Sequence, residues 1–461
     1  MTRFSLPLLA LLALANVSCD EPPEVPVADS PAIGPTAMSS TGYETLSIQT
    51  TVVDVAPAEV RAVLIGGILA LDLEVVDDEW ITVTSQGSPA PGPAAIDLVL
   101  SDVSVRHPDT LDYAAPIDPR LERVVAFGAS LTQGVQDGTP THDGVLMSPS
   151  LQLARVMGAY MPQPVLIDDL FPTLGLDSVG PPPECASTNV ADFIRNAITD
   201  VLVQMVDPEE GLAYWVARSD PDMSVRNLAA GNFMVDDMLL GPSADELVQN
   251  VLGSLSLDPY APFGGAPRWT MIEAVERLEP TVVVSFDLVG NDVLSGTAVE
   301  DMEENLPPLI ARLAATGAEV FLADMPDISI LRGSLGDEPL GEDEQSLADE
   351  VNAVLYAEVD RHDNVHVVPV AERALQIATD GLELGDQTLN GEMLGGILSF
   401  DGLHFSSTGY ALVADMFVDT INNELGTAVP AIDVAAVLAE DIHSPNAVLD
   451  AGRDGSLCGV E

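Results

Sequence analysis

The chain changes its hydrophobic rhythm along its length. Residues 6–15 are apolar, 46–100 alternate apolar and polar positions in short runs, and from 123 onward short apolar runs are spaced by segments with a helical repeat. The alternating runs Leu46–Val53, Val60–Ile65, Leu71–Val76, Trp80–Thr84 and Ile96–Leu100 predict the strands of a small all-β sandwich over residues 38–116. Past the boundary Pro116–Pro119, the runs Arg123–Phe127, Val225–Ala229, Thr281–Phe286, Glu319–Ala323 and Val365–Val370 predict strands. Helical patterns lie between them, such as Met302–Thr316, stopped by Gly317, and Leu347–Val359. Strand, helix, strand is the repeating unit of a parallel sheet with helices on both faces, here expected over residues 118–428 and followed by a C-terminal tail, 429–461. Ligands of such sheets sit at the carboxyl ends of the strands. A chain of 461 residues also exceeds what one core holds, in keeping with two folded units.

The first segment changes the picture of where the chain works. Arg3 followed by the apolar residues 6–15 is a secretory signal pattern, too short to span a bilayer as a helix. It ends in Asn16–Val17–Ser18–Cys19, similar to the bacterial lipobox, in which the Cys is lipidated and becomes the new N-terminus; Asn16 departs from the usual apolar residue. The expectation is a signal peptide over 1–19 and an exported protein anchored to the cell envelope through Cys19, the alternative being cleavage without lipid and a periplasmic or secreted product. Residues 20–37, rich in Pro and acids without periodicity, read as a tether.

Charge removes whole classes of partner. The chain has 73 acidic and 16 basic residues, every basic one an Arg, for a net charge of −57. Nucleic acid is excluded as a partner, because binding it needs a cationic patch that neutralises phosphates. Such a surface suits concentrated salt, and a compositional bias of the genome is the other reading of it.

Four short segments carry chemistry. The run Val124–Phe127 breaks into Gly128–Ala129–Ser130–Leu131, whose small residues permit a tight strand-to-helix turn that exposes the Ser130 hydroxyl; the plainer reading is a helix cap. In Asp401–Gly402–Leu403–His404 the offset lets the carboxylate fix the imidazole tautomer while the other ring nitrogen takes a proton from Ser130. Asn291, in Gly290–Asn291–Asp292 after an apolar strand, is a suitable oxyanion donor, and the Gly231 amide, closing Asn227–Gly231, is a second.

Together and in this order, the four segments resemble the blocks of the SGNH (GDSL-type) hydrolase family over roughly residues 118–425. The resemblance implies a flavodoxin-like three-layer α/β/α domain, with Ser130 as nucleophile, His404 as base, Asp401 as its orienter, and an oxyanion hole formed by the Ser130 amide, the Gly231 amide and the Asn291 side chain. It implies a serine ester hydrolase that needs no cofactor or metal, acting on a small-molecule, lipid or glycan ester. Two positions depart from the pattern: Ala129 stands where the family name has Asp, and no Pro precedes Gly231, which leaves Asn232 as the other amide donor. The β-rich segment, with its Gly92–Pro93 turn and closing Leu111–Asp112–Tyr113, resembles an immunoglobulin-like IPT/TIG domain.

Other constellations weigh less. Cys185 and Cys458 can pair in an oxidising compartment or stand as independent thiols. His362 and His366 flank a turn and a strand rather than one helical face, against a zinc site. Phe171, Tyr214, Trp215 and the Pro181 cluster lie in a long insertion that either lines an apolar groove or is plain core. The rival from another class is a surface protein that binds a glycan or protein partner without turning it over.

Overall fold

The computed structural model describes residues 32–138, 140–165, 225–231, 233–241, 269–326, 342–392 and 394–453. Nine strands come first: β1 (Ile33–Gly34), β2 (Ala37–Ser39), β3 (Thr45–Gln49), β4 (Ala62–Ile65), β5 (Ile68–Leu69), β6 (Leu71–Val75), β7 (Trp80–Thr84), β8 (Gly92–Val99) and β9 (Ser104–Ala114). They form two sheets, ordered β1-β3-β7-β6 and β2-β9-β8-β4-β5. Strict alternation drives this. In β3, Leu46 and Ile48 point inward and pair with Val83 and Ile81 of β7, and these meet Val63, Ile96, Leu98 and Leu111 of the second sheet in one core.

The β region begins earlier than expected. Ile33 pairs with Ile48, and the Ala32 amide donates to Asp109 at 2.7 Å, so the ordered chain reaches into the segment read as tether. Strand β9 runs for 11 residues where the sequence pattern suggested only its end, because polar His107 and Asp109 stand at inward-facing positions and break the apolar alternation.

The second region has a four-stranded parallel sheet of β10 (Val124–Ala126), β11 (Val282–Ser285), β12 (Glu319–Ala323) and β13 (Val365–Val368), in that order, followed in the chain by a small hairpin of β14 (Leu382–Leu384) and β15 (Gln387–Leu389). Successive strand residues feed opposite cores. Val125, Val283, Val320 and Leu322 pack on one face, while Val124, Val282, Val284 and Phe321 pack on the other.

Helices cover both faces. In chain order they are α1 (Ser130–Gln133), α2 (His142–Leu146), α3 (Pro149–Met157), α4 (Val235–Leu240), α5 (Met271–Arg277), α6 (Gly290–Ser295), α7 (Val299–Ala315), α8 (Glu342–Val359), α9 (Val370–Asp380), α10 (Ser407–Leu425), α11 (Val434–Glu440) and α12 (Pro445–Arg453). The first face receives Leu306, Ile310 and Leu313 of α7 and Val351 and Leu355 of α8. The second receives Leu153 and Met157 of α3 and Val413, Phe417 and Ile421 of α10. No helix among the described residues is long and apolar enough to cross a membrane.

Two expectations need correcting here. Val225–Ala229 is a single parallel bridge from Asn227 to Ala126, not a full strand: the Asn227 amide turns inward to Thr132 O, Ser150 Oγ and Gln163 Oε1. The segment from 429, read as a tail, is folded as far as Arg453, because Val429, Val434, Leu438 and Val448 are all buried. The two regions also touch: the Thr41 hydroxyl donates to Ala154 O at 3.0 Å, and the Gln163 amide donates to the Tyr43 hydroxyl at 2.7 Å.

Candidate active site

Ser130 opens α1 four residues past the end of β10, at the carboxyl edge of the sheet. The turn before it is possible only with glycine at 128. Gly128 has φ +144°, and a Cβ there would lie 2.6 Å from both Asp287 Oδ1 and Thr132 Oγ1. Asp287, just past β11, is buried and holds the turn from the next strand. It accepts hydrogen bonds from the Ala129 amide (2.9 Å), the Leu131 amide (2.7 Å) and the Thr132 hydroxyl (2.5 Å). Burial pushes this carboxyl up, and the Thr132 hydroxyl and the turn amides only partly offset that. Between the two clamped amides, the Ser130 N–H finds no acceptor among the described residues, which leaves it available to an incoming oxygen.

Asp401 and His404 lie in the turn just before α10. Asp401 Oδ1 accepts from the Leu403 and His404 amides at 2.8 and 2.9 Å, and Oδ2 meets His404 Nδ1 at 2.6 Å. This turn builds the pair locally and leaves His404 Nε2 uncommitted to the carboxylate. Burial alone would push Asp401 up, but the adjacent imidazole outweighs it and holds the carboxyl well below the usual range. Burial likewise pushes His404 down, and the Asp401 charge outweighs it, so the imidazole lies above its ordinary 6.5.

One cavity joins these groups. It is lined by Ser130, His404 and Asn291, with Leu131, Leu288, Val289, Leu294, Met325 and Leu403 giving an apolar wall and Asp324 a polar point. Asn291, near the start of α6, donates one Nδ2 proton to Phe233 O at 3.0 Å; its amide has a second. Gly231 is not brought to the cavity. Its amide donates to Gln133 Oε1 at 3.0 Å, so it is already engaged and is not the expected oxyanion donor in this arrangement. Asn232 lies outside the described residues, as do Cys19, Cys185, Cys458, Phe171, Pro181, Tyr214 and Trp215.

The two strand-edge histidines do not converge. His362 Nε2 meets Glu358 at 3.1 Å, and His366 meets Glu319 at 3.1 Å while stacking on Phe321. No group of three His, Cys, Asp or Glu side chains among the described residues is arranged to hold a metal ion.

Residues 233–417 match the model of the GDSL-like lipase/acylhydrolase family. The matched segment contains Asn291, Asp401 and His404, whereas Ser130 and Gly231 lie upstream of it. The match supports an esterase-type hydrolase. No curated protein matches the chain. Among solved structures, a family two carbohydrate esterase from Cellvibrio japonicus is similar over 84% of this chain and 90% of its own, at 12% identity and a TM-score of 0.35. A family 3 carbohydrate esterase from Clostridium thermocellum is similar over 44% of this chain and 72% of its own, at 16% identity and a TM-score of 0.25. Neither likeness is close enough to bear on substrate.

Sequence reasoning missed Asp287. Its signal was an acid directly behind the apolar run Val282–Phe286, a position where an unpaired charge is costly and a partner is therefore to be expected.

Proposed function

We propose that the chain is a serine ester hydrolase in which Ser130 attacks an ester carbonyl, His404 takes the serine proton, and Asp401 holds His404 in the required tautomer. The observation that carries this reading is the cavity shared by Ser130, Asn291 and His404, the last paired with Asp401, at the carboxyl edge of a parallel sheet. The carbonyl carbon becomes tetrahedral, with its oxyanion on the Ser130 N–H and Asn291 Nδ2. The alcohol leaves with the proton held on His404, giving an acyl-enzyme. Water, deprotonated by His404, then releases the acid. The apolar wall suits an uncharged acyl or alcohol group of a small-molecule, lipid or glycan ester, and the chain's net charge of −57 disfavours anionic substrates.

Other parts of the reading belong with it. The Asn227 bridge beside β10, in the order 2-1-3-4-5, supports a flavodoxin-like sheet, and the two sheets over one core support an immunoglobulin-like domain in front. Export through the signal-like segment and anchoring through a lipidated Cys19 complete the proposal.

The test is hydrolysis of p-nitrophenyl esters from acetate to palmitate, in low and in molar salt. Turnover is expected, and kcat/KM should fall as pH drops through a pKa above 6.5, because the base must be neutral and its pKa is raised. No turnover by the folded protein would count against the ester-hydrolase reading, and a profile flat from about pH 5 to 8 would contradict the assignment of His404.

A further inference from the structure

A second buried imidazole–carboxylate cluster, Asp137–His443–Asp441, lies behind the site, outside the segment matched by the family model. His443, between α11 and α12, is 1% exposed. Its Nε2 is 3.1 and 3.2 Å from the two oxygens of Asp137, and its Nδ1 is 3.1 Å from Asp441 Oδ1. Each ring nitrogen thus faces a carboxylate, an arrangement that suits an imidazolium donating from both sides.

The two carboxylates reach the two ends of one segment. Asp137, four residues past the end of α1, accepts the Phe400 amide at 2.7 Å, and its own amide donates to Ser399 Oγ at 3.1 Å. The Ser399 hydroxyl in turn donates to Asp401 Oδ1 at 3.1 Å. At the other end, Asp441 Oδ2 accepts the Thr408 amide and hydroxyl at 2.8 and 2.6 Å. Residues 399–408, which carry Asp401 and His404, are thus bracketed by acids that share one imidazole. The same Asp137 belongs to the chain leaving the Ser130 turn, and Tyr410 of α10 donates to Val135 O beside it.

We propose that His443 is a positioning residue: held between Asp137 and Asp441, it fixes the Asp401–His404 segment against the Ser130 turn. The proposal rests on the ester-hydrolase reading for its effect on catalysis. Burial pushes this imidazole down, but the Asp137 charge first, and Asp441 with it, outweighs burial and lifts it to about 10. The group therefore stabilises the fold fully below the ordinary 6.5, and that contribution is lost as pH rises toward 10. The charged groups in contact are Asp137 from the α1 side and Asp441 from its own segment, with Asp401 and His404 beyond Ser399.

The test is His443→Gln in the full chain, assayed on the p-nitrophenyl ester the wild type turns over best. With the fold verified by circular dichroism, kcat should fall about 10-fold or more with KM nearly unchanged, since small misplacements of catalytic groups cost rate rather than binding. The acid limb of kcat/KM should also move to higher pH, because Asp137 loses its counter-charge and acts more strongly on His404. A role confined to stability would lower the active fraction and leave that limb in place. A folded His443→Gln chain with wild-type kcat and an unmoved limb overturns the proposal. Should that variant not fold, two other measurements decide. Asp441→Asn should give the same kcat loss, and side-chain 15N spectra of the wild type at pH 9 should still show an imidazolium among its six histidines; wild-type kcat in the former or six neutral rings in the latter overturns it. Absence of ester turnover in the wild type itself would count against the function reading instead.

Discussion

Ser130→Ala should lower kcat for ester hydrolysis by about 10⁴- to 10⁶-fold, the scale seen when a serine nucleophile is removed from an intact triad. The loss is this large because the Ser130 hydroxyl is the only attacking atom the proposed mechanism offers, and among the described residues no other hydroxyl or thiol lines the cavity. The methyl of alanine fits where the serine sat, and the clamp on the turn runs through Ala129, Leu131 and Thr132 to Asp287, so none of its hydrogen bonds involves the Ser130 side chain. The variant should therefore fold and bind ester with an affinity close to that of wild type. Stopped-flow p-nitrophenol release measures the rate, and thermal unfolding checks the fold. A loss of less than about 10-fold would mean that another group, or bound water alone, performs the attack.

Asp401→Asn should cost about 10⁴-fold in kcat, the magnitude expected when the orienting carboxylate of a triad becomes an amide. The carboxylate accepts His404 Nδ1 at 2.6 Å and two amides on its other oxygen, so an amide side chain must place an N–H against one of these donors or turn the imidazole to the wrong tautomer. The electrostatic consequence is separable from the geometric one. Asp401 is what outweighs burial at His404, and without its charge the imidazole pKa drops. The residual activity should then extend to lower pH than in the wild type while the plateau collapses. A plateau within about 10-fold of wild type would remove Asp401 from the mechanism.

The legible parts of this fold are those written in local spacing. Leu46, Ile48, Ile81 and Val83 announce half-buried strands by alternation, and Val282–Ser285 announces a fully buried one by an apolar run, which is why β3, β7 and β11 lie where the pattern places them. Ser130 and the Asp401–His404 pair were legible for the same reason, since a strand-to-turn break and a three-residue offset are local features.

What was not legible depends on contacts between distant positions. Asp287 meets Ala129 across 158 residues of sequence, and His443 meets Asp137 across 306. No periodicity encodes such pairs. The Gly231 amide looked available because its acceptor, Gln133, lies 98 residues away on α1. The folded C-terminal segment did leave a trace: Val434 and Leu438, four apart, are the buried positions of one short helix, a repeat too brief to stand out beside the long apolar stretch of α10.

The measurement that bears most directly on the central claim is covalent trapping of the nucleophile. A fluorophosphonate ester, which mimics the tetrahedral intermediate and bonds to an activated serine, is incubated with the full chain, and the adduct is mapped by peptide mass spectrometry. The account predicts one adduct, on Ser130, formed in step with loss of esterase activity and absent from His404→Ala. An adduct on another residue, or none on a folded chain that hydrolyses esters, would contradict it.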